Sequence, residues 1–300
     1  MTTFSSIVRK YEKLCDNKDI PCETVMAYLT ELSQRERYDL YLHYEDEMPE
    51  ELEKEFEAGM DRILHYEPME HVLGYSWFYG YKMIVNEDVL IPRPETEELC
   101  ANILARMDEW FVDNQSISCA DVGTGSGAIA IVLAKEEPKV HMMATDISEE
   151  AVVTAKKNAE NNEADIEFVA GDMLQPLIEK GIKLDVLVSN PPYIPQEEVM
   201  EKSVVDFEPH VALFGGEDGL KFYREIFKNC KKVLKEKAFM AFEMGWDQRE
   251  RMSKLVEEML PGCEYEILQD YTAKDFSLFT CKSIHLTQSL LPYYEYHLPL

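Results

Sequence analysis

From residue 115 onward the chain alternates short apolar runs with stretches of helical periodicity, and that rhythm commits it to stacked βαβ units around a mostly parallel sheet. The runs Ile117 to Val122, Val140 to Thr145, Ile166 to Ala170, Leu184 to Ser189, Ala238 to Glu243, Tyr265 to Leu268 and Ser277 to Cys281 read as seven strands. No helical stretch separates the last two, so they are expected to pair antiparallel in an open, doubly wound α/β sheet. Ahead of the sheet, Ile7, Tyr11 and Leu14, then Val25, Tyr28, Leu29 and Leu32, recur at spacings of three and four, punctuated by Pro21 and Pro49. This predicts a small all-helical region over residues 1–74. The aromatic and β-branched runs Trp77 to Val85 and Val89 to Ile91, broken by Gly80 and by Asn86-Glu87-Asp88, predict a β-hairpin linker over residues 75–94. Pro92 and Pro94 then force an extended segment before a helix that starts near Glu95. The α/β unit is expected over residues 95–283, with 284–300 an unassigned tail.

A chain of 300 residues, 46% of them apolar, can bury a core large enough for this plan. No apolar run approaches the roughly 20 residues that cross a bilayer, and Met1-Thr2-Thr3-Phe4 opens an amphipathic stretch rather than a secretory signal. The expected location is therefore cytoplasmic, with no membrane partner. Cys15, Cys22, Cys100, Cys119, Cys230, Cys263 and Cys281 lie far apart with no C-x-x-C pair, which suits reduced, packed thiols. The histidines show no ligand spacing, so no metal is expected. Lys+Arg 30 against Asp+Glu 58 gives a net charge of -28, which repels a phosphate backbone over most of the surface. Direct nucleic-acid binding is accordingly not expected.

The first predicted strand runs into Asp121-Val122-Gly123-Thr124-Gly125-Ser126-Gly127-Ala128, followed by the helical stretch Ile129 to Lys135. Glycines here let the backbone turn sharply and let a ligand approach closer than a Cβ would permit, beside a helix N-terminus with unsatisfied N–H groups. Gly123, Thr124, Gly125, Ser126 and Gly127 are thus candidate cofactor residues. The motif does not name the cofactor, because Gly123, Gly125 and Ala128 also satisfy the dinucleotide pattern G-x-G-x-x-G/A. Asp146 closes the second strand, where a carboxylate can accept two hydrogen bonds from a ribose diol. Asp172, after the third strand, could accept from an adenine amino group, with Met173 packing on the ring. The bland alternative for Asp172 is turn chemistry after Gly171.

After the fourth strand comes Asn190-Pro191-Pro192-Tyr193. Two successive prolines hold the backbone extended and remove two N–H donors, so the segment presents acceptors. An amide or aromatic amino nitrogen is a weak nucleophile because its lone pair is delocalised. If the Asn190 side-chain oxygen and the Pro191 carbonyl each accept one N–H, they can aim that nitrogen at an electrophilic methyl group, with Tyr193 packing against the planar group. S-adenosyl-L-methionine supplies such a methyl, and Asn190 also borders its expected site.

In this combination the sequence resembles the HemK/PrmC family of glutamine methyltransferases that act on peptide chain release factors. The resemblance spans roughly residues 5 to 283. It rests on Glu70 to Gly74 with Phe78-Tyr79-Gly80, on Leu90-Ile91-Pro92-Arg93-Pro94-Glu95-Thr96-Glu97, on Asp121 to Gly127, on Asp146, on Asn190 to Tyr193, and on Phe207-Glu208-Pro209 with Gly215 to Leu220. It departs from the family at Asp275 to Thr280, which lacks an expected Gly and Arg, and after Ser283. The resemblance implies a seven-stranded Rossmann-like methyltransferase sheet. It implies S-adenosyl-L-methionine held by Gly123 to Gly127, Asp146, Met173 and Asn190, and a substrate glutamine in the Gly-Gly-Gln loop of a class 1 release factor. The N-terminal helical region would help to hold that protein. The rivals are an adenine amino-group methyltransferase on DNA or RNA, a glutamine methyltransferase of a ribosomal protein, a nucleotide-dependent dehydrogenase, and a non-catalytic binding module. The acidic charge weighs against the first, and the dehydrogenase leaves Asn190 to Tyr193 without a role.

Overall fold

The amphipathic spacing at the N-terminus folds into five helices, α1 (Phe4–Asp16), α2 (Glu23–Ser33), α3 (Arg37–Leu42), α4 (Glu50–Ile63) and α5 (Met69–Leu73). They enclose a core of their own in which Ile7, Val8, Tyr11, Leu29, Phe56 and Met60 meet. A reciprocal capping box starts α1, with the Ser6 N–H on Thr3 Oγ1 and the Thr3 N–H on Ser6 Oγ. Gly74, at φ 78°, ends α5 and turns the chain into a hairpin of β1 (Tyr75–Phe78) and β2 (Tyr81–Ile84). The computed structural model describes residues 2–270 and 272–282, and the expected tail over 284–300 lies outside them.

The hairpin differs from the sequence expectation in its second half. Its tip is Tyr79-Gly80, both at positive φ (51° and 78°), which matches the turn that suits the twist of two paired strands. Val89 to Ile91 forms no strand. Asn86 closes a local turn, accepting the Asp88 N–H on its side chain, and the Ile91 N–H donates to the buried Glu208 carboxylate. Pro92 offers no N–H for a ladder. Val85, Val89 and Ile91 instead pack together with Ala151.

The remaining elements are α6 (Pro94–Trp110), β3 (Ile117–Val122), α7 (Ala128–Glu136), β4 (Val140–Asp146), α8 (Glu149–Asn161), β5 (Ile166–Ala170), α9 (Gln175–Glu179) and β6 (Leu184–Ser189). They continue with α10 (Lys202–Val205), α11 (Lys221–Asn229), β7 (Leu234–Glu243), α12 (Arg249–Met259), β8 (Glu264–Gln269) and β9 (Asp275–Lys282). One seven-stranded sheet runs in the order β5-β4-β3-β6-β7-β9-β8. The first five are mutually parallel, and β9 lies antiparallel between β7 and β8, as expected of the last two predicted strands. Alternate residues face opposite layers: Ile117, Cys119, Phe239 and Ala241 pack in one core, Ala120, Val122, Met240 and Phe242 in the other. By the same parity Asp121 and Glu243 fall on the face with Ile117 and Phe239. Among the described residues no helix is long and apolar enough to cross a membrane.

A buried polar side chain joins the hairpin to α8 and to the loop after β3. Asn158 on α8 accepts the Ile84 N–H (2.6 Å) and donates to the carbonyls of Ile84 (3.0 Å) and Ser126 (2.9 Å). Asn158→Ala strands these backbone groups and is expected to cost about 3 kcal/mol in denaturant unfolding. A loss below about 0.5 kcal/mol, the range of ordinary surface changes, would show that the contacts carry no weight.

Candidate active site

The parallel strands β3 to β7 end on one edge, and the loop after β3 is folded tightly against it. Gly123, Gly125 and Gly127 all have positive φ (76°, 54° and 84°), where a side chain would strain the backbone. The N–H groups of Gly123 and Thr124 both donate to the Thr145 carbonyl on β4, at 2.8 and 2.9 Å. A Cβ on Gly127 would sit 3.1 Å from that of Ala155, so this glycine also lets α7 approach α8. At Gly125 a Cβ would meet nothing within 4 Å, because that position faces open space.

Asp146, at the end of β4, accepts the Gly125 N–H on Oδ2 (2.8 Å) and the Ser148 N–H on Oδ1 (3.0 Å). A carboxylate offers about four acceptor positions, so about two remain for a ligand with paired hydroxyls. Burial raises its pKa against the opposing pull of those backbone donors. Asp121, one strand away, is more extreme. It is buried, its Oδ2 accepts the Thr124 hydroxyl (2.6 Å), and its Oδ1 meets no partner of ordinary hydrogen-bond geometry among the described residues. Burial, reinforced by Asp146, pushes its pKa up to about 7 even though the Thr124 hydrogen bond opposes the shift.

Gly123 to Ser126 and Asp146 border a cavity of about 540 Å³, within the size range of small-molecule sites, while Asp121 and the predicted Gly127 lie behind its lining. Gly123, Thr124, Gly125, Ser126, Asp146, Asp172, Met173 and Asn190 all line it, so cofactor candidates scattered over 68 positions of sequence (123 to 190) share one wall system. Met173 holds a left-handed backbone (φ 44°), an unfavourable conformation for a residue with a side chain, at the cavity edge. A concave site with a close-packed glycine loop, a strand-end carboxylate and a thioether side chain fits an adenosine-bearing ligand.

The acceptor segment closes the opposite end of the argument. Asn190 and Pro192 line the cavity; Pro191 and Tyr193 do not. Pro191 is buried, and among the described residues its carbonyl accepts no hydrogen bond from the protein. Tyr193 packs its ring against the core that contains Met240 and Phe242, and its hydroxyl donates to Glu243 Oε1 (3.2 Å). Tyr193 therefore stands outside the cavity lining, its ring against the core and its hydroxyl on a buried carboxylate. The Tyr193 carbonyl is fixed by Gln248 Nε2 (2.9 Å).

Sequence reasoning gave no role to Thr96 or Glu243. Thr96, in the first turn of α6, is buried, lines the cavity and donates to Glu243 Oε2 (2.6 Å). Asn190 Nδ2 donates to Thr96 Oγ1 (3.4 Å). Glu243 ends β7 as Asp146 ends β4, and an acid terminating an apolar strand was the available signal. Burial raises the Glu243 pKa, and hydrogen bonds from Thr96, Tyr193 and Asn190 oppose the rise. The Glu243 charge and burial in turn push the Tyr193 hydroxyl well above its usual range.

Comparison with known proteins agrees with this geometry. The family profile of the PrmC N-terminal domain matches residues 8–74, and that of the methyltransferase small domain matches residues 102–208. The release factor glutamine methyltransferase of Bacillus cereus is 41% identical over 259 residues, 86% of this chain and 90% of the relative. That of Bacillus subtilis is 44% identical over 220 residues, 73% and 76% of the two chains. That of Staphylococcus aureus is 36% identical over 249 residues, 82% and 87%. Among solved structures, a methyltransferase from Pyrococcus furiosus has a TM-score of 0.51 at 18% identity, covering 75% of this chain and 98% of its own. The hMettl16 catalytic domain, solved in complex with a 3'UTR hairpin, has a TM-score of 0.52 at 16% identity, covering 71% and 79%. These two likenesses concern the fold.

The Asp121 carboxyl gives the site a pH signature. Its raised pKa means that the folded chain holds a proton there between about pH 4 and about pH 7 while the unfolded chain has lost it. Folded stability from this group is therefore lost as pH rises through that window. Comparing Asp121→Asn with the parent protein by thermal unfolding, the variant is expected to gain on the parent between about pH 5 and about pH 8. An unchanged difference between the two proteins across the window would contradict the burial argument.

Proposed function

The chain belongs to the release factor glutamine methyltransferase family, and from that premise we propose that it transfers a methyl group from S-adenosyl-L-methionine to the side-chain amide nitrogen of a glutamine. The substrate is the Gly-Gly-Gln loop of a class 1 peptide chain release factor, a protein of the cytoplasmic translation machinery. The observation that carries this reading is Asn190, placed on the wall of the same cavity as the glycine loop and Asp146.

On this reading Gly123 to Gly127 and the N-terminus of α7 lie along the cofactor. The remaining acceptor positions of Asp146 take the ribose hydroxyls, and Asp172 and Met173 border the adenine. S-adenosyl-L-methionine supplies an electrophilic methyl group on a sulfonium centre. Asn190 Oδ1 and the Pro191 carbonyl each accept one N–H of the glutamine amide, and this pair of bonds fixes the direction in which the nitrogen points. The work is orientation rather than proton abstraction, and the amide proton is lost only after the new bond has formed. Apolar Leu90, Val211 and Phe222 on the cavity lining help to keep water from the amide. The acidic surface suits a basic protein partner better than a free polynucleotide.

The test is transfer of labelled methyl to a release factor, to its glutamine-to-alanine variant, and to adenine-containing oligonucleotides. Label is expected on the parent release factor alone; label on oligonucleotides in its place would overturn the assignment. Asn190→Ala is expected to lower transfer roughly 1000-fold with cofactor affinity, read by calorimetry, within about threefold of the parent. Comparable activity in this variant would remove the acceptor role. Asp146→Ala is expected to weaken cofactor binding roughly 10- to 100-fold, and unchanged affinity would remove the ribose assignment.

A further inference from the structure

A carboxylate can only accept hydrogen bonds, and a threonine hydroxyl has a single hydrogen to give. Those two facts determine how the Asn190 side chain must lie. Thr96 Oγ1 gives its hydrogen to Glu243 Oε2 at 2.6 Å, and the Tyr193 hydroxyl gives its own to Oε1 at 3.2 Å. The Thr96 oxygen that faces Asn190 at 3.4 Å is therefore left as an acceptor, and the Glu243 carboxylate beyond it can only accept as well. Only the NH2 end of an amide satisfies both neighbours. The other end, Oδ1, is left for the cavity that Asn190 lines.

We infer that Glu243 is a positioning residue which, acting through Thr96, locks the Asn190 amide with Nδ2 inward and so presents an acceptor oxygen to the substrate. The inference rests on the functional reading above and deepens it. A site walled by Oδ1 welcomes an NH2 donor; a flipped amide would present N–H groups and suit a carbonyl or a carboxylate instead. Glu243 thus helps to decide that the group bound here is an amide nitrogen rather than the oxygen beside it, since a mismatched partner leaves buried polar groups unpaired. Glu243 is itself held at its carboxylate by Thr96 and Tyr193 and at its backbone by Tyr223. The Tyr223 hydroxyl bonds the Glu243 backbone carbonyl (2.7 Å), and both Tyr223 and Glu243 are buried. Thr96 and Tyr193 belong to α6 and to the loop after β6, so three separate parts of the chain converge on one strand end.

Glu243→Gln separates positioning from packing. Glutamine keeps the shape, but its Nε2 donates where Glu243 accepts. The Thr96 hydroxyl then turns to donate toward Asn190, and the amide is free to flip. Removing a buried charge without leaving a gap should hold or raise the unfolding temperature. The expected result is a kcat roughly 100-fold below the parent, for methyl transfer to the release factor, with cofactor affinity within about twofold and no loss of thermal stability. A second readout needs no turnover: the Asn190 side-chain NH2 resonances, assigned by their loss in Asn190→Ala, exchange slowly with solvent in the parent and rapidly in Glu243→Gln. Thr96→Val should lower kcat at least about tenfold, and Thr96→Ser, which keeps the hydroxyl, should recover most of it. A kcat within about threefold of the parent in Glu243→Gln, or a fall in kcat matched by equal losses of cofactor affinity and stability, would overturn the inference. If the parent protein itself transfers no methyl to the release factor, the functional reading fails instead, and the exchange measurement still decides whether Glu243 sets the amide.

Discussion

The parallel ladder of β3 between β4 and β6 is the constraint from which the site follows. Asp121 pairs in register with Ala144 on one side and Val188 on the other, so three strands end within a residue or two of one another on one edge. Every chain segment that leaves this edge must turn over the same crevice, which is why open α/β sheets bind ligands there. The same geometry removes three carboxylates from water. Asp121, Asp146 and Glu243 sit at the ends of β3, β4 and β7, and burial raises the pKa of each. A buried charge persists only when hydrogen bonds offset its lost hydration. The partners of these three include a glycine-loop N–H and two threonine hydroxyls from the cavity wall, and the Tyr193 phenol from behind it.

The cavity therefore has two halves with separate tasks and one shared wall. The glycine loop presents a close backbone surface and Asp146 its remaining carboxylate acceptors, a set suited to an adenosine-bearing ligand. On the proposed reading Asn190, held through Thr96 and Glu243, presents an acceptor to an incoming amide. Family membership removes the dehydrogenase alternative that the glycine loop alone had left open.

Much of this was legible in the amino-acid sequence, and the reasons are physical. β3, β5 and β6 lie at the predicted residues; β3 and β6, buried almost throughout, read as mostly apolar runs with sharp ends, and the edge strand β5 alternates instead. β7 begins earlier than expected, at Leu234, since its first turn beyond the core carries Lys235, Glu236 and Lys237 and hides the strand. Val89 to Ile91 has strand-like residues but no ladder partner, because Glu208, 117 positions away, takes the Ile91 N–H. Thr96 and Glu243 escaped for the same reason. They are 147 positions apart, and nothing local in either segment announces that they share a hydrogen bond. Tyr193 was visible as a residue, yet its direction was not, since the carboxylate that turns it lies 50 positions on. Local chemistry marks which residues are unusual; the sheet decides which of them meet.

The proposed reaction depends on the orientation of one amide against another. Its most direct test is a crystal structure of this chain with S-adenosyl-L-homocysteine and a peptide carrying Gly-Gly-Gln. The glutamine nitrogen should lie about 2.9 Å from both Asn190 Oδ1 and the Pro191 carbonyl oxygen, facing the sulfur. A glutamine bound with its oxygen toward Asn190, or outside the cavity lined by Asn190 and Asp146, would contradict it.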